Sequence, residues 1–393
     1  MRVLLASTEG AGHFNPLVPF VEAFAGRGDE VLFVVPPALA ATVEASGHAF
    51  RVGADPPAEE LAAIWQRFPT VPPDEAAVLV NREVFGRLNT AAMLSTLESA
   101  CRDWRPDLVV REPCEYASAI AADRAGIPHV QVAISLAQIE ASSLALAAPM
   151  LEPYGSGIVN RIRASPYLTR FPASLDPSPF ATTRRFREAD VVDGEPLPDW
   201  WEADDAALVY VTFGSVTGTL PIAPTVYRAA LGAVAGLPAR VLLTIGRNTD
   251  RAKLGPIPAN VHLEAWVPQS RVLGQAAVVV CHGGSGTTFG ALAAGVPLVV
   301  VPLFADQPVN ARLVASARAG VVIDSETGPG DVIGSIGPED AARIRAAIET
   351  VLADGSYREA ASRIADEIRV FPTIDHVVAT LATESRPVQT MGA

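Results

Sequence analysis

The chain has 393 residues, a hydrophobic fraction of 49% and a formal net charge of −13. Its length predicts about two domains, and an acidic chain without a basic block excludes nucleic acid or an anionic membrane as the default partner. Cys101, Cys114 and Cys281 have no metal-ligating spacing, the start reads as strand and loop rather than signal peptide, and no unbroken apolar run reaches the ~20 residues of a membrane span. The expectation is a cytoplasmic protein.

Arg2 to Ser7 reads as a buried strand and Thr8 to Pro16 (TEGAGHFNP) as its loop. Pro16, followed by Leu17, Phe20, Val21 and Phe24 at helical spacing, announces a helix, and Val31 to Val35 is the next strand. This order invites a dinucleotide-binding reading. However, Asn15 stands where the fingerprint needs a third glycine, and Pro36 and Pro37 stand where it needs an acidic residue, which argues against a dehydrogenase. A lone histidine is more often structural than catalytic, but His13 lies in a glycine loop at a strand's carboxyl end, where side chains face a cleft.

From Ala38 to Ser99 the pattern is mostly helical, with Trp65, Phe68, Phe85, Leu88 and Met93 divided between core and an apolar acceptor pocket. Pro106 to Val110 is a strand, Arg111 to Glu115 its loop and Tyr116 to Ala125 a helix. Gly126-Ile127-Pro128 then leads into the strand His129 to Val132. Ser135 to Pro179 is apolar but broken by Ser, Gly and Pro, as expected of a long functional loop region. Arg184 to Arg187 reads as a solvated surface, and Glu195 to Glu202 as a linker. Ala207 to Thr212 opens a second domain, with a loop at Phe213 to Gly218. Val241 to Ile245 is a further strand, followed by Gly246 and Arg247, to which the sequence assigns no role.

The most informative stretch runs from Trp266 to Asn310. Val278 to Cys281 reads as a buried strand, His282 to Thr288 (HGGSGTT) as a loop, Phe289 to Ala294 as a helix and Leu298 to Val301 as a strand. Such a loop lies where parallel sheets bind ligands and feeds a helix N-terminus, whose free N–H groups suit an anion. Ser285, Thr287 and Thr288 add hydroxyls, and His282 adds a ring N–H. Trp266-Val267-Pro268-Gln269 upstream offers an aromatic face for a base. Asp306 and Gln307 downstream offer a carboxylate–amide pair for sugar hydroxyls. Together these features outline a nucleotide-sugar site.

The two halves also echo each other: AADRAGIPHVQV closes the first unit and GALAAGVPLVVV the second. The echo implies two similar Rossmann-like domains. Counting back from the Gly-x-Pro turns sets Glu112 opposite Cys281, beside the position of His282.

On these residues the chain resembles the family-one inverting glycosyltransferases. The W-x-P-Q opening, H-x-G loop, G-[VI]-P turn and closing D-Q-x-x-N match through Trp266, Gln269, Leu273, His282, Gly284, Gly295, Pro297, Pro302, Asp306, Gln307 and Asn310. Where uridine-donor members carry a Glu for the ribose hydroxyls this chain has Gly290, as do bacterial antibiotic glycosyltransferases, which fits a dTDP-sugar.

The resemblance implies the GT-B architecture: two Rossmann-like domains facing across a cleft, over residues 1–200 for the acceptor and 201–370 for the donor. A terminal helix within 371–393 crosses back to the first domain, and Gln389 to Ala393 are expected to be disordered. It implies His13 as general base and Glu112 as its carboxylate partner, where the family more often has Asp, with Glu115 as runner-up. Donor-binding residues are then Ser215, Trp266, Val267, Gln269, His282, Gly284, Ser285, Gly286, Thr287, Asp306 and Gln307.

The implied reaction is metal-free inversion, with no cofactor beyond the nucleotide-diphosphate sugar and a largely apolar natural product as acceptor. A nucleotide-sugar 2-epimerase and a non-catalytic partner of another glycosyltransferase are the alternatives. Oligomeric state stays open, a homodimer included.

Overall fold

The computed structural model describes residues 1–188, 198, 200, 205–247, 249–325 and 333–385. The expected disordered tail, Gln389 to Ala393, lies outside these, as does the expected linker apart from Pro198 and Trp200. The chain separates into two compact units, Met1–Ala189 with Phe371–Ala393, and Asp190–Val370.

The first unit holds seven strands: β1 (Arg2–Ala6), β2 (Glu30–Val35), β3 (Ala49–Val52), β4 (Leu108–Arg111), β5 (His129–Val132), β6 (Tyr167–Thr169) and β7 (Thr183–Arg185). They form one parallel sheet in the order β3-β2-β1-β4-β5-β6-β7. Side chains alternate across it, as a strand buried on both faces requires. Val3 and Leu5 join Leu17, Phe20, Phe24 and Phe33 on one face, whereas Leu4 and Ala6 join Met93, Leu97 and Ala121 on the other. The terminal helix, Ile374–Glu384, packs into the first of these cores through Ile374, Val377, Val378 and Leu381. Burial of four such side chains, at about 1.5–3 kcal/mol each, holds this last helix on the first unit's sheet.

The second unit repeats the pattern with β8 (Leu208–Thr212), β9 (Arg240–Thr244), β10 (Val261–Glu264), β11 (Ala276–Cys281), β12 (Leu298–Val300) and β13 (Gly320–Val322). These are all parallel in the order β10-β9-β8-β11-β12-β13. The Gly-x-Pro echo is structural: Gly126 and Gly295 take φ of 66° and 69°. Both close a helix by the same pair of hydrogen bonds, Gly126 N–H to Asp123 O with Ile127 N–H to Ala122 O, and Gly295 N–H to Leu292 O with Val296 N–H to Ala291 O.

Three local expectations are corrected. The helix expected from Phe289 begins at Ser285 and runs to Ala293, so most of the glycine loop is its first turn. Ser135 to Pro179 is no long loop: it contains the helices Ala137–Leu151 and Ile158–Ala164 and strand β6. Pro149 is tolerated near the end of the first of these helices. The stretch from Ala38 to Ser99 is mostly helical, as expected, with the short strand β3 and a π-helix, Leu79–Asn89, within it. The Arg184–Arg187 cluster is structural rather than merely solvated. Arg185 donates to Phe171 O at 3.1 Å and Asp176 O at 2.9 Å, and Arg184 pairs with Glu384 at 2.9 Å.

Candidate functional site

In each sheet the strand order reverses between the first strand and the fourth, at β1/β4 and at β8/β11, and ligands of open parallel sheets gather beyond the carboxyl ends at such a point. In the first unit Ala6 pairs with Arg111, which brings the loops starting at Ser7 and Glu112 together. His13 lies on a single helical turn, Ala11–Phe14, inside the first loop. Its Nδ1 stands 3.2 Å from Glu112 Oε1 and 3.0 Å from Thr8 Oγ1. The Thr8 hydroxyl donates to the same carboxylate oxygen at 2.7 Å, and the Thr8 N–H donates at 3.1 Å. Cys114 N–H holds the other oxygen at 2.7 Å.

Glu112 is fully buried, which by itself raises a carboxyl pKa; His13, the Thr8 hydroxyl and the Cys114 N–H outweigh burial and hold it below the ordinary range. The Glu112 loop is stiffened from within. Arg111, itself fully buried, donates through Nη1 to the carbonyls of Glu112, Pro113 and Glu115 at 3.1, 3.2 and 3.3 Å. Because a carboxylate only accepts, the neutral His13 ring carries its proton on Nδ1 and leaves Nε2 as a base. The His13 side chain is 22% exposed, and its ring lies 5.3 Å from that of Phe85 on the π-helix.

Glu115 is engaged elsewhere. Its carboxylate accepts from Ser118 N–H at 2.9 Å, and burial pushes its pKa up to about 7. A ring nitrogen of His13, a Glu112 oxygen and Cys114 Sγ lie within 4.8 Å of one another, the one such trio among the described residues. Burial pushes the Cys114 thiol well above its ordinary value, so it stays protonated at neutral pH, and Glu112 is already fully engaged. This trio suits proton transfer better than a metal.

In the second unit Cys281 pairs with Thr212, so His282 emerges beside Phe213 and Gly214. Glu112 and His282 each follow the last residue of their strand, so Glu112 is level with His282 rather than with Cys281, one position from the count. The His282 ring sits between two glycines. A Cβ at Gly214 would lie 2.8 Å from its Nε2, and one at Gly284 only 2.4 Å. Burial pushes its pKa down to about 4, against the pull of Asp306, so the ring meets a ligand uncharged at neutral pH.

Gly284 is the N-cap of the helix Ser285–Ala293 and no side chain caps it. The amides of Ser285, Gly286 and Thr287 are thus donors without intrahelical acceptors. Two of the three hydroxyls are less available than expected, whereas that of Thr287 only accepts and keeps its O–H to donate. Ser285 donates to Asp306 at 2.8 Å, Thr287 accepts from Gln269 at 3.0 Å, and Thr288 is fully buried. Gln307 is 3% exposed, and its Oε1 accepts from the amides of Leu303 and Phe304 at 2.9 and 3.0 Å. The Gln307 amide keeps its N–H donors, and Asp306, half-buried, also accepts from Asn310 Nδ2 at 3.2 Å.

Asn310 ties the cradle together, donating to Gly283 O at 2.8 Å and to Ser285 Oγ at 3.1 Å. Trp266 is 57% exposed, while Val267 beside it is buried. Arg247 stands over the Trp266 ring at 5.4 Å from its centroid. Gly290 faces Gln269 Oε1 and Leu273, each 3.4 Å from where its Cβ would be. Ser215 follows Gly214 in the neighbouring loop. Thr8 carries no pattern in the sequence that marks it for this site, and Phe85 is one of five large apolar residues that the sequence does not sort between core and acceptor pocket.

Two doubly wound parallel sheets, one bearing a buried carboxylate paired with a histidine and the other an uncapped helix start and, three strands along the same sheet edge, an exposed tryptophan, define the GT-B class of nucleotide-sugar glycosyltransferases. The comparisons agree. Residues 75–214 match the model "Erythromycin biosynthesis protein CIII-like, N-terminal domain" and residues 228–383 its C-terminal counterpart. An L-demethylnoviosyl transferase of Streptomyces niveus is 31% identical, over 98% of this chain and 99% of its own. The glycosyltransferase SnogD of Streptomyces nogalater superposes with a TM-score of 0.73 at 27% identity, over 98% of this chain and 99% of its own. SsfS6 of Streptomyces sp. SF2575, complexed with thymidine diphosphate, gives 0.73 at 25% over the same shares.

The chain belongs to the family of EryCIII-like glycosyltransferases, the family-one actinobacterial enzymes of natural-product biosynthesis. It is an inverting, nucleotide-sugar-dependent transferase of a metal-independent class. The epimerase and auxiliary-partner alternatives are not favoured by these likenesses. No described helix is long and apolar enough to cross a membrane.

Proposed function

We propose that this enzyme transfers a sugar, a deoxysugar by preference, from a dTDP donor to a hydroxyl of a largely apolar small molecule in the cytoplasm. The observation that carries the reading is the pairing of His13 with the buried Glu112, 3.2 Å apart. His13 Nε2 takes the acceptor proton as the hydroxyl attacks the anomeric carbon, and Glu112 stabilises the imidazolium that forms. The oxygen–carbon bond to the acceptor forms as the bond to the diphosphate breaks, and configuration inverts. Charge growing on the leaving diphosphate meets the amides of Ser285, Gly286 and Thr287 and the His282 ring. Trp266 stacks on the base and Asp306 holds the sugar. No cofactor beyond the donor enters this scheme.

Three features support the finer points. The thymidine diphosphate bound by SsfS6 and the absence of a carboxylate at Gly290 favour dTDP. Phe85, 5.3 Å from His13, sets an apolar wall beside the base. Cys101, Cys114 and Cys281 are all free and buried, in keeping with a reducing compartment. The test is thermal melting with dTDP, UDP or NADH in excess. A ligand at 100 times its Kd adds about 2.7 kcal/mol to the folded state. Stabilisation by dTDP well above UDP, and none by NADH, is expected. UDP outranking dTDP would overturn the donor choice, and no response to either nucleotide would overturn the site.

A further inference from the structure

We infer that Arg247 is the counter-cation of the donor's diphosphate, held over Trp266 until the base takes its place; the inference rests on the second unit being the nucleotide site. The carboxyl edge of the sheet sets the order in which loops meet a ligand. Trp266 follows β10, Arg247 follows β9, Ser215 follows β8, His282 follows β11 and Asp306 follows β12, and these strands are neighbours in that order. A nucleotide with its base on Trp266 and its diphosphate at His282 therefore crosses the β9 and β8 loops, a span of three strand spacings or about 14 Å. Arg247 is rooted on the first of these loops, and its neighbour Gly246 approaches the Gly214 carbonyl, with an ideal Cβ 4.0 Å away. Gly214 in turn abuts the His282 ring.

The second part of the argument is charge. A nucleoside diphosphate carries roughly two to three negative charges at neutral pH, and the helix start at Ser285 offers only about half a positive charge. The segment from Trp266 to Asn310 contains a single Lys or Arg, Arg271, and the loop Phe213 to Thr219 contains none. Burial keeps the His282 ring neutral at neutral pH, and the whole chain has a net charge of −13. Arg247 is the first cation after β9, on a loop that the ligand crosses. It is exposed, and its contact given by the structure is the Trp266 ring at 5.4 Å. That contact is weak at an exposed site, and a stacking base competes for the same aromatic surface. Displacement frees a long, planar cation beside the diphosphate, where bidentate pairing is available.

The test compares wild type, Arg247→Gln and Arg247→Lys by titration with dTDP and with uncharged thymidine over a range of salt concentrations. The expected result for Arg247→Gln is a dTDP Kd raised about tenfold or more, with a shallower salt dependence and thymidine binding within twofold of wild type. Arg247→Lys recovers part of both losses. The melting temperature of the free protein stays unchanged, because the side chain is exposed. An unchanged dTDP Kd in Arg247→Gln would overturn the inference. So would equal losses for dTDP and thymidine, which would make Arg247 a partner of the base alone. Wild type that binds neither compound would overturn the donor-site reading itself and the inference with it.

Discussion

Glu112 Oε1, the oxygen that faces His13, is also the acceptor of the Thr8 hydroxyl at 2.7 Å. A fully buried carboxylate without such donors would be pushed toward its neutral form, and it would then stop stabilising an imidazolium. Glu112→Gln keeps size and most contacts but removes the charge. The expected outcome is a fall in kcat of about 100-fold or more at unchanged dTDP affinity; His13→Ala falls further, within the ~10²–10⁴-fold typical of a lost general base. Steady-state kinetics together with dTDP titration separates the two effects. Loss of nucleotide binding in either variant would contradict the assignment of both residues to proton transfer.

Gly284 and His282 give a steric prediction. With a Cβ at Gly284 only 2.4 Å from Nε2, and Gly214 closing the other side at 2.8 Å, the ring has no room to retreat. Gly284→Ala should destabilise the protein by about 1–3 kcal/mol, the usual cost of overpacking, and weaken dTDP binding about tenfold. Denaturant melts and titration measure the two losses. Full dTDP affinity in this variant would show that the ligand does not use the His282 ring.

Trp266 is the converse case, an exposed side chain whose loss should spare the fold. Stacking of a base on an aromatic ring is worth about 1–3 kcal/mol, so Trp266→Ala should weaken dTDP binding by roughly 5- to 150-fold. Stability should move by no more than about 0.5 kcal/mol. A large drop in melting temperature without ligand would instead make Trp266 a packing residue.

The strands and the glycine loops were legible because their signals are local. Val278 to Cys281 is apolar and β-branched, and the turns at Gly126 and Gly295 carry the same Gly-x-Pro signature. What tertiary contacts decide was not legible. Ser285 and Gly286 are poor helix formers and read as loop, yet they begin a helix because Ser285 is fixed by Asp306 and Asn310. Gln307 reads as a sugar ligand, but its amide oxygen is taken up by the Leu303 and Phe304 amides, an acceptor role that spacing cannot reveal. Thr8 reads as one more loop residue, since its value depends on Glu112, 104 positions away. Pro149 and the serines around it hid the helix Ala137–Leu151, whose place is set by packing against the π-helix Leu79–Asn89.

That hidden helix makes the protein's stability depend on pH. Glu140 lies in its first turn, accepts from the amides of Ile134 and Ser135 at 2.7 Å each, and takes the Tyr167 hydroxyl on its other oxygen. Burial pushes its pKa up to about 8, against these hydrogen bonds. The unfolded chain releases this proton near pH ~4.3, whereas the folded chain holds it to about 8. The group's stabilising contribution is therefore complete below the unfolded value and is lost as pH rises through the folded one. Glu140→Gln keeps an acceptor for both amides and stays neutral at every pH. Glu115, raised in the same sense, and Glu112, lowered, are common to both proteins and cancel in the comparison. The melting temperature of wild type should fall relative to Glu140→Gln between pH 5 and pH 9, with most of the divergence complete by about pH 8. A difference that stays constant across that range would mean Glu140 is ionised throughout and that the Ile134, Ser135 and Tyr167 donors outweigh its burial.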